Sequence, residues 1–377
     1  MEKVVVGLSG GVDSAVSAYL LKKQGYEVIG LFMRNWDSAA NNDILGNPND
    51  PNEVCPQEQD YLDAQKIADH LNIKLHRHDF IQEYWDHVFS YFIEEYKNNR
   101  TPNPDILCNK YIKFAGFQKV AKELGADFFA YGHYARRKTE NGEHFLLRGK
   151  DKNKDQSYFL SDLSQEQLAK ALFPVGELNK EAVRKIAKEQ NIPTAEKKDS
   201  TGICFIGERN FKAFLKNYIF SKPGNIETID GDIIGRHDGL MYYTIGQRKG
   251  LEIGGNKNYP NAPWFVIGKN IEKNALIVGQ GRNNPNLFAN RVIVEDVNWI
   301  SKTKFKGELE CQAKFRYRQK DNVVIIKWLK NDVLEVITKH PVRAITPGQA
   351  AVFYDGEICL GGGKIKASYQ NDKKMNY

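Results

Sequence analysis

One stretch constrains this chain more than any other: Gly7-Leu8-Ser9-Gly10-Gly11-Val12-Asp13-Ser14. It lies between a β-branched run at 3–8 and a helical pattern at 15–24 that Gly25 ends. Glycines at such a junction let backbone N–H groups close on an anion, and the helix start adds favourable partial charge. The stretch lacks the lysine of a GxxxxGK[ST] loop and the spacing of G-x-G-x-x-G. A turn merely capped by Asp13 or Ser14 would not need so much. Glycines, two hydroxyls and a carboxylate gather at the carboxyl end of the first strand, where open α/β sheets take ligands.

The segments that follow alternate. Strands are expected at 27–32, 73–76 and 127–130, and helices at 60–71, 84–96 and 113–124. Strands separated by helices imply a parallel sheet with crossover helices. An Asn/Asp/Pro-rich loop at 34–57 interrupts the alternation, and loops of that length are functional or mobile. Helices are expected at 165–172 and 180–191, with Pro193 closing the second. Beyond about 215 helical periodicity fades. Short strands at 292–297, 308–317, 322–329, 333–338 and 349–363 read as a small antiparallel barrel. The expected units are 1–213, 214–288 and 289–377, with a polar tail at 370–377 that frays.

Composition adds exclusions. No run approaches the roughly 18 apolar residues of a membrane span, and the N-terminus has no signal-peptide order. A cytoplasmic protein with no membrane contact is expected. The 54 Lys and Arg against 47 Asp and Glu leave +7, which permits a polyanionic partner. Five cysteines, an odd number, do not make a disulfide framework, so a special cysteine here is a reactive one.

Cys108 follows two prolines in Thr101-Pro102-Asn103-Pro104-Asp105-Ile106-Leu107-Cys108-Asn109, and helix is expected from Lys113 onward. Its expected place, close before a helix start, lowers a thiol pKa. Asp105 could exchange protons beside it. Cys204 lies between Gly202 and Gly207 on a pliable backbone. Cys311 and Cys359 fall in expected strands and read as core, and Cys55 beside Pro56 is a weaker third candidate for sulfur handling. His76 and His78 alternate on a strand end and read as structural or solvated; no histidine spacing suggests a metal. His133 follows Gly132 after a strand, again at the carboxyl edge.

Ser9–Ser14, SGGVDS, resembles the loop of the N-type ATP pyrophosphatases, which split ATP to AMP and pyrophosphate. A narrower resemblance, to the tRNA-specific 2-thiouridylases, covers nearly the whole chain. It is carried by SGGVDS, NPD-x-x-C at 103–108, YGHYAR at 131–136, KDQSYFL at 154–160, STGICFIGERNF at 200–211, YTIGQRKG at 243–250, FRYR at 315–318 and TPGQAAVFY at 346–354. The resemblance implies an α/β chain: a parallel-sheet, adenine-nucleotide-hydrolase-like N-terminal domain, a small central domain and a C-terminal antiparallel β-barrel. It implies synthesis of 2-thiouridine at the wobble position of tRNAs for Lys, Glu and Gln. Cys108 is then the nucleophile, Cys204 the persulfide carrier and Asp105 a proton shuttle. ATP with Mg²⁺ is expected at Gly7, Leu8, Ser9, Gly10, Gly11, Val12, Asp13, Ser14, Met33 and Gly132. Contacts to tRNA are expected at Asn103, Pro104, Asp105, His133, Lys154, Asp155, Gln156, Arg316, Tyr317, Arg318 and Gln349. Strand alternation would place both arginines on one face of the barrel. The sulfur would come from a persulfide-donating relay protein or a cysteine desulfurase. An iron–sulfur cluster on Asp105, Cys108 and Cys204 is the alternative cofactor that residue types leave open, and the persulfide relay is favoured over it.

Overall fold

The computed structural model describes residues 1–45, 56–199, 202, 204, 206, 210–254 and 258–375. Cys55 lies outside them, as do 46–54 of the expected loop and most of the 200–209 segment. The N-terminal part is a five-stranded sheet of β1 (Lys3–Gly7), β2 (Glu27–Arg34), β3 (Lys74–Asp79), β4 (Phe128–Ala130) and β7 (Ala171–Leu172), in the order β3-β2-β1-β4-β7. Every pairing in it is parallel. Val4, Val5 and Val6 of β1 have no exposed surface, as a strand covered on both faces requires. Helices α1 (Val12–Lys23) and α2 (Pro56–Leu71) supply crossovers. Strand order reverses between β1 and β4, so a crevice opens beyond their carboxyl ends.

Two further helical rods flank the sheet, at 81–97 and 104–123. Each contains a π-helical stretch, Trp85–Phe89 and Cys108–Gly116. In the second, the Phe117 N–H donates to the Ile112 carbonyl, five residues back. The cause is competition for carbonyls from outside the helix. Tyr131 donates its hydroxyl to the Lys113 carbonyl, and Gln167 Nε2 donates to the Phe114 carbonyl at 2.6 Å.

A hairpin of β5 (Ala135–Glu140) and β6 (Glu143–Arg148) turns at Asn141 and Gly142, both with positive φ. The central segment forms a four-stranded sheet of β8 (Gly224–Thr228), β9 (Ile233–His237), β10 (Trp264–Asn270) and β11 (Ala275–Gln280), in the order β10-β11-β8-β9. β12 (Phe288–Trp299), β13 (Glu308–Lys314), β14 (Asn322–Lys330), β15 (Val333–Arg343), β16 (Ala350–Asp355) and β17 (Ile358–Gln370) run antiparallel. They close on themselves where β12 pairs with β17. Alternation fills this barrel: Val324 and Ile326 point in and are wholly buried, while Val323 and Ile325 point out. The hairpin at 135–148 extends the same sheet through β6 against β17. Strand β13 ends at Lys314, so Arg316, Tyr317 and Arg318 lie in the turn after it and do not alternate on one strand face. That expectation is corrected. The helix expected over 165–172 stops at Lys170, where Ala171 and Leu172 become β7.

Candidate active site

The loop after β1 is braced by its hydroxyls. The Ser9 N–H donates to Ser14 Oγ, Ser14 Oγ donates to the Gly11 carbonyl at 3.0 Å, and the Ser9 and Ser14 hydroxyls lie 3.2 Å apart. Gly11 opens α1 without a side-chain cap, which leaves first-turn N–H groups for another acceptor. Gly10 has φ +74°, and a Cβ there would collide with the Asp60 carbonyl. Gly132, just past β4, packs so closely on α1 that a Cβ would come within 2.8 Å of the Ser14 nitrogen. Met33 is buried at the end of β2, its methyl 3.6 Å from where a Gly7 Cβ would lie. Leu8 and Val12 point into the core.

Asp13 is shared. Tyr134 donates its hydroxyl to Asp13 Oδ1 at 2.8 Å, and Lys180 Nζ lies 2.7 and 2.9 Å from its two oxygens. Lys180 also reaches Asp199 at 2.7 Å, which Lys154 and Arg184 contact at 2.7 and 2.9 Å. Burial works against the Asp199 carboxylate, but Lys154 and Lys180 outweigh it and hold its pKa at about 2. Nothing in the sequence singled out Lys180; fold alone brings it to the loop.

The two cysteines meet. Cys108 Sγ and Cys204 Sγ are 3.6 Å apart, both free thiols, across 96 residues of chain. Four groups hold Cys204: Tyr84 donates its hydroxyl to the Cys204 carbonyl at 2.8 Å, Asp105 takes its backbone N–H, and Cys108 and Lys113 hydrogen-bond its sulfur. The rod that carries Cys108 begins at Pro104, not near Lys113. Cys108 is therefore inside a helix and wholly buried. Burial, with the Cys204 contact, pushes its thiol well up rather than down. The lowered thiol is Cys204, through the hydrogen bond from Cys108 first and the charge of Lys113 after it. Burial also raises the Asp105 carboxyl, against the pull of Lys113.

Rings join loop and thiols. Tyr131 lies 3.5 Å from where a Gly7 Cβ would be on one side and packs at a tilt on Phe114, centroids 4.4 Å apart, on the other. His133 is buried between Phe114, Tyr131 and Phe173, and burial keeps its pKa well below the usual imidazole range. The neighbouring contact candidates mostly hold the chain together. Asp155 accepts from the Gly149 and Ser157 N–H groups, and Gln156 from that of Tyr134. Asn103 bonds the Tyr158 hydroxyl, and Pro104 starts its helix. Gln349 donates to the Thr101 and Pro102 carbonyls at 2.9 and 3.0 Å. Arg316 donates to the Ile245 carbonyl and to Thr346 Oγ1, Tyr317 packs at a tilt on Phe159 with centroids 4.3 Å apart, and Arg318 is exposed. A cleft of about 420 Å³ runs between the two rods and the barrel, lined by Asn103, Leu107, Lys110 and Gln349 among others.

Cys311 and Cys359 are buried in β13 and β17, where burial raises both thiols to about 12. Among the described residues, no three His, Cys, Asp or Glu side chains converge as metal ligands. The touching sulfurs, with an ammonium on one of them, do not fit as ligands spread around an iron–sulfur cluster. Among the described residues no helix is long and apolar enough to cross a membrane.

Three family models match in succession. They are described as a tRNA methyl transferase HUP domain over 2–208, a tRNA methyl transferase PRC-barrel domain over 212–280 and an aminomethyltransferase beta-barrel domain over 289–365. A curated "tRNA-specific 2-thiouridylase MnmA" of Mycoplasma capricolum is 58% identical, over 97% of this chain and 98% of that one. Proteins of the same name from Bacillus cereus and Lysinibacillus sphaericus are 52% and 53% identical, each over 100% of this chain and 97% of the relative.

Proposed function

The chain belongs to the tRNA-specific 2-thiouridylase family, and we propose that it uses ATP to exchange the C2 oxygen of a wobble uridine in tRNA for sulfur. That oxygen is a poor leaving group. Adenylation converts it into AMP, which departs readily, with pyrophosphate as the first product. In this reading Ser9, Gly11, Ser14 and the first turn of α1 receive the pyrophosphate. Lys180 supplies the cation that the loop itself lacks. A magnesium ion arriving with ATP would meet Asp13 and neutralise phosphate charge there, in competition with Lys180.

The contact between Cys108 and Cys204 carries the proposal. A persulfide on Cys204 attacks C2 through its outer sulfur and displaces AMP. The Cys108 thiolate then attacks the Cys204 sulfur, the sulfur–sulfur bond breaks, and its electron pair stays with the sulfur now on C2. A Cys108–Cys204 disulfide remains for an external thiol reductant. Asp105, beside both sulfurs, takes the Cys108 proton. The family-model description speaks of methyl transfer, which requires no second thiol in contact with the first; the sulfur relay described above uses both. We read 1–213, 214–288 and 289–377 as the working units, in the cytoplasm, on tRNAs for Lys, Glu and Gln. The persulfide comes from a relay protein or a cysteine desulfurase.

Nucleoside mass spectrometry tests this on tRNA incubated with protein, ATP, Mg²⁺ and a persulfide donor. Sulfur replaces oxygen in uridine, AMP and pyrophosphate accumulate, and Cys204→Ser gives no thiouridine. Methylated uridine, or ADP and phosphate as products, would overturn the proposal.

A further inference from the structure

Lys113 has no part in the relay described so far, yet it bonds the sulfur that the relay starts from. In an α-helix of about 3.6 residues per turn, residue i+5 falls well off the face of residue i. In the π-helical stretch Cys108–Gly116 it returns one wide turn above it. Lys113 is five residues beyond Cys108 in this stretch, and its ammonium bonds the Cys204 sulfur and interacts with that of Cys108. The bond from Tyr131 to the Lys113 carbonyl and that from Gln167 to the next carbonyl hold the distortion in place.

We propose that Lys113 is a positioning residue that decides which sulfur gives up its proton first: its ammonium bonds Cys204, whose sulfur lies 3.6 Å from that of Cys108, so Cys204 becomes the thiolate while Cys108 keeps its proton. The groups around the pair agree. Burial works against the Lys113 ammonium, but Cys204, Cys108 and Asp105 outweigh it and keep it protonated. His133, also near, is neutral. Tyr84 is buried, and desolvation together with the thiols keeps its hydroxyl protonated.

The consequence is an order of events within the sulfur-transfer reading, on which this inference rests. The Cys204 thiolate attacks the outer sulfur of an incoming persulfide, the donor's sulfur–sulfur bond breaks, and the donor leaves as its thiolate. Cys108, still protonated, cannot intercept that sulfur. It becomes a nucleophile only after its proton is taken.

The test needs no tRNA, ATP or donor, so its failure and that of the sulfur-transfer reading are separable. The full chain is alkylated with iodoacetamide from pH 5 to 10, and each cysteine is followed by peptide mapping. In the unaltered protein Cys204 reacts first, with a midpoint below that of a free thiol, at about 8.5. Lys113→Met moves the Cys204 midpoint up by at least about one unit, roughly tenfold slower alkylation at neutral pH. Lys113→Arg keeps the low midpoint. A merely structural lysine would leave the midpoint where it was, and that result overturns the proposal. So does earlier alkylation of Cys108 in the unaltered protein, a measurement that does not depend on any variant folding.

Discussion

The thiol pocket and the seam where the central sheet meets the 81–97 rod each enclose a lysine, and the two end in opposite states. Lys113 in the pocket is driven toward the protonated form by the sulfurs and Asp105. Lys269, in β10 at the seam, is 5% exposed, and its Nζ donates to the Asn99 carbonyl at 2.7 Å. Burial lowers its pKa to about 7. Desolvation opposes the charge at both places, so the anions decide. The pocket is where this fold spends favourable electrostatics on keeping charges; the seam only has to stay closed. Around Asn99 the seam is a clamp: Thr101 bonds Pro347 and Thr244, and Gln349 bonds Thr101 and Pro102. The clamped residues lead straight into the helix that carries Cys108.

The largest effect should come from the charged side of that comparison. Asp13→Ala removes the carboxylate that Lys180 and Tyr134 share, and tRNA-dependent pyrophosphate release should fall roughly 10²–10³-fold. Thermal unfolding at the seam should not change. Undiminished release would place ATP elsewhere.

The seam should answer to pH instead. The folded Lys269 sheds its proton near pH 7, whereas the unfolded chain keeps it to about 10.4. Between those values the unfolded state binds more protons, so this group makes stability rise with pH; below about 7 its full penalty remains. Lys269→Met should cancel that rise. The stability difference between variant and unaltered protein, from urea titrations at pH 7 and 10, should shrink by about 3 kcal/mol or more. A difference independent of pH would mean the amine is charged in the seam after all.

The smallest effect separates two arginines that the sequence treats alike. Arg318→Ala should flatten the salt dependence of tRNA binding by about one unit of slope. Arg316→Ala should leave the slope alone and cost about 1–2 kcal/mol of stability through its lost bonds to Ile245 and Thr346. Equal changes of slope would return Arg316 to the tRNA surface.

What the sequence made legible was local chemistry. Glycines and hydroxyls between a strand and a helix announce an anion loop before any fold is known, and the β-branched runs announce the sheet and the barrel strands. The pairing of Cys108 with Cys204 was legible only through resemblance, because no spacing rule joins residues 96 apart. Lys113 was hidden because the helix was expected to start there, which put it and Cys108 in different elements; one rod with a π-helical stretch carries both. The direction of the Cys108 shift was misjudged for a related reason: the helix begins four residues before it, so burial and not a helix start sets its state. The hairpin at 135–148 did carry a signal, Asn141-Gly142 between alternating residues, and it went unread. Lys180 carried none, and YGHYAR marked Tyr134 only as part of a motif; the fold delivers both to Asp13.

That hairpin bears on the order in which the chain can be made. Its second strand, β6, pairs Leu146 and Leu147 with Cys359 and Ile358, residues that leave a ribosome more than 200 positions later. Until they emerge, β6 presents an open edge beside the segment that bears Gly132 and His133, and a growing chain must shield that edge by other means. The sheet beside the anion loop and the thiols is therefore completed only once β17 has emerged. A chain stopped short of β17 carries the loop and Cys108 and Cys204, but not the strand that completes the sheet beside them.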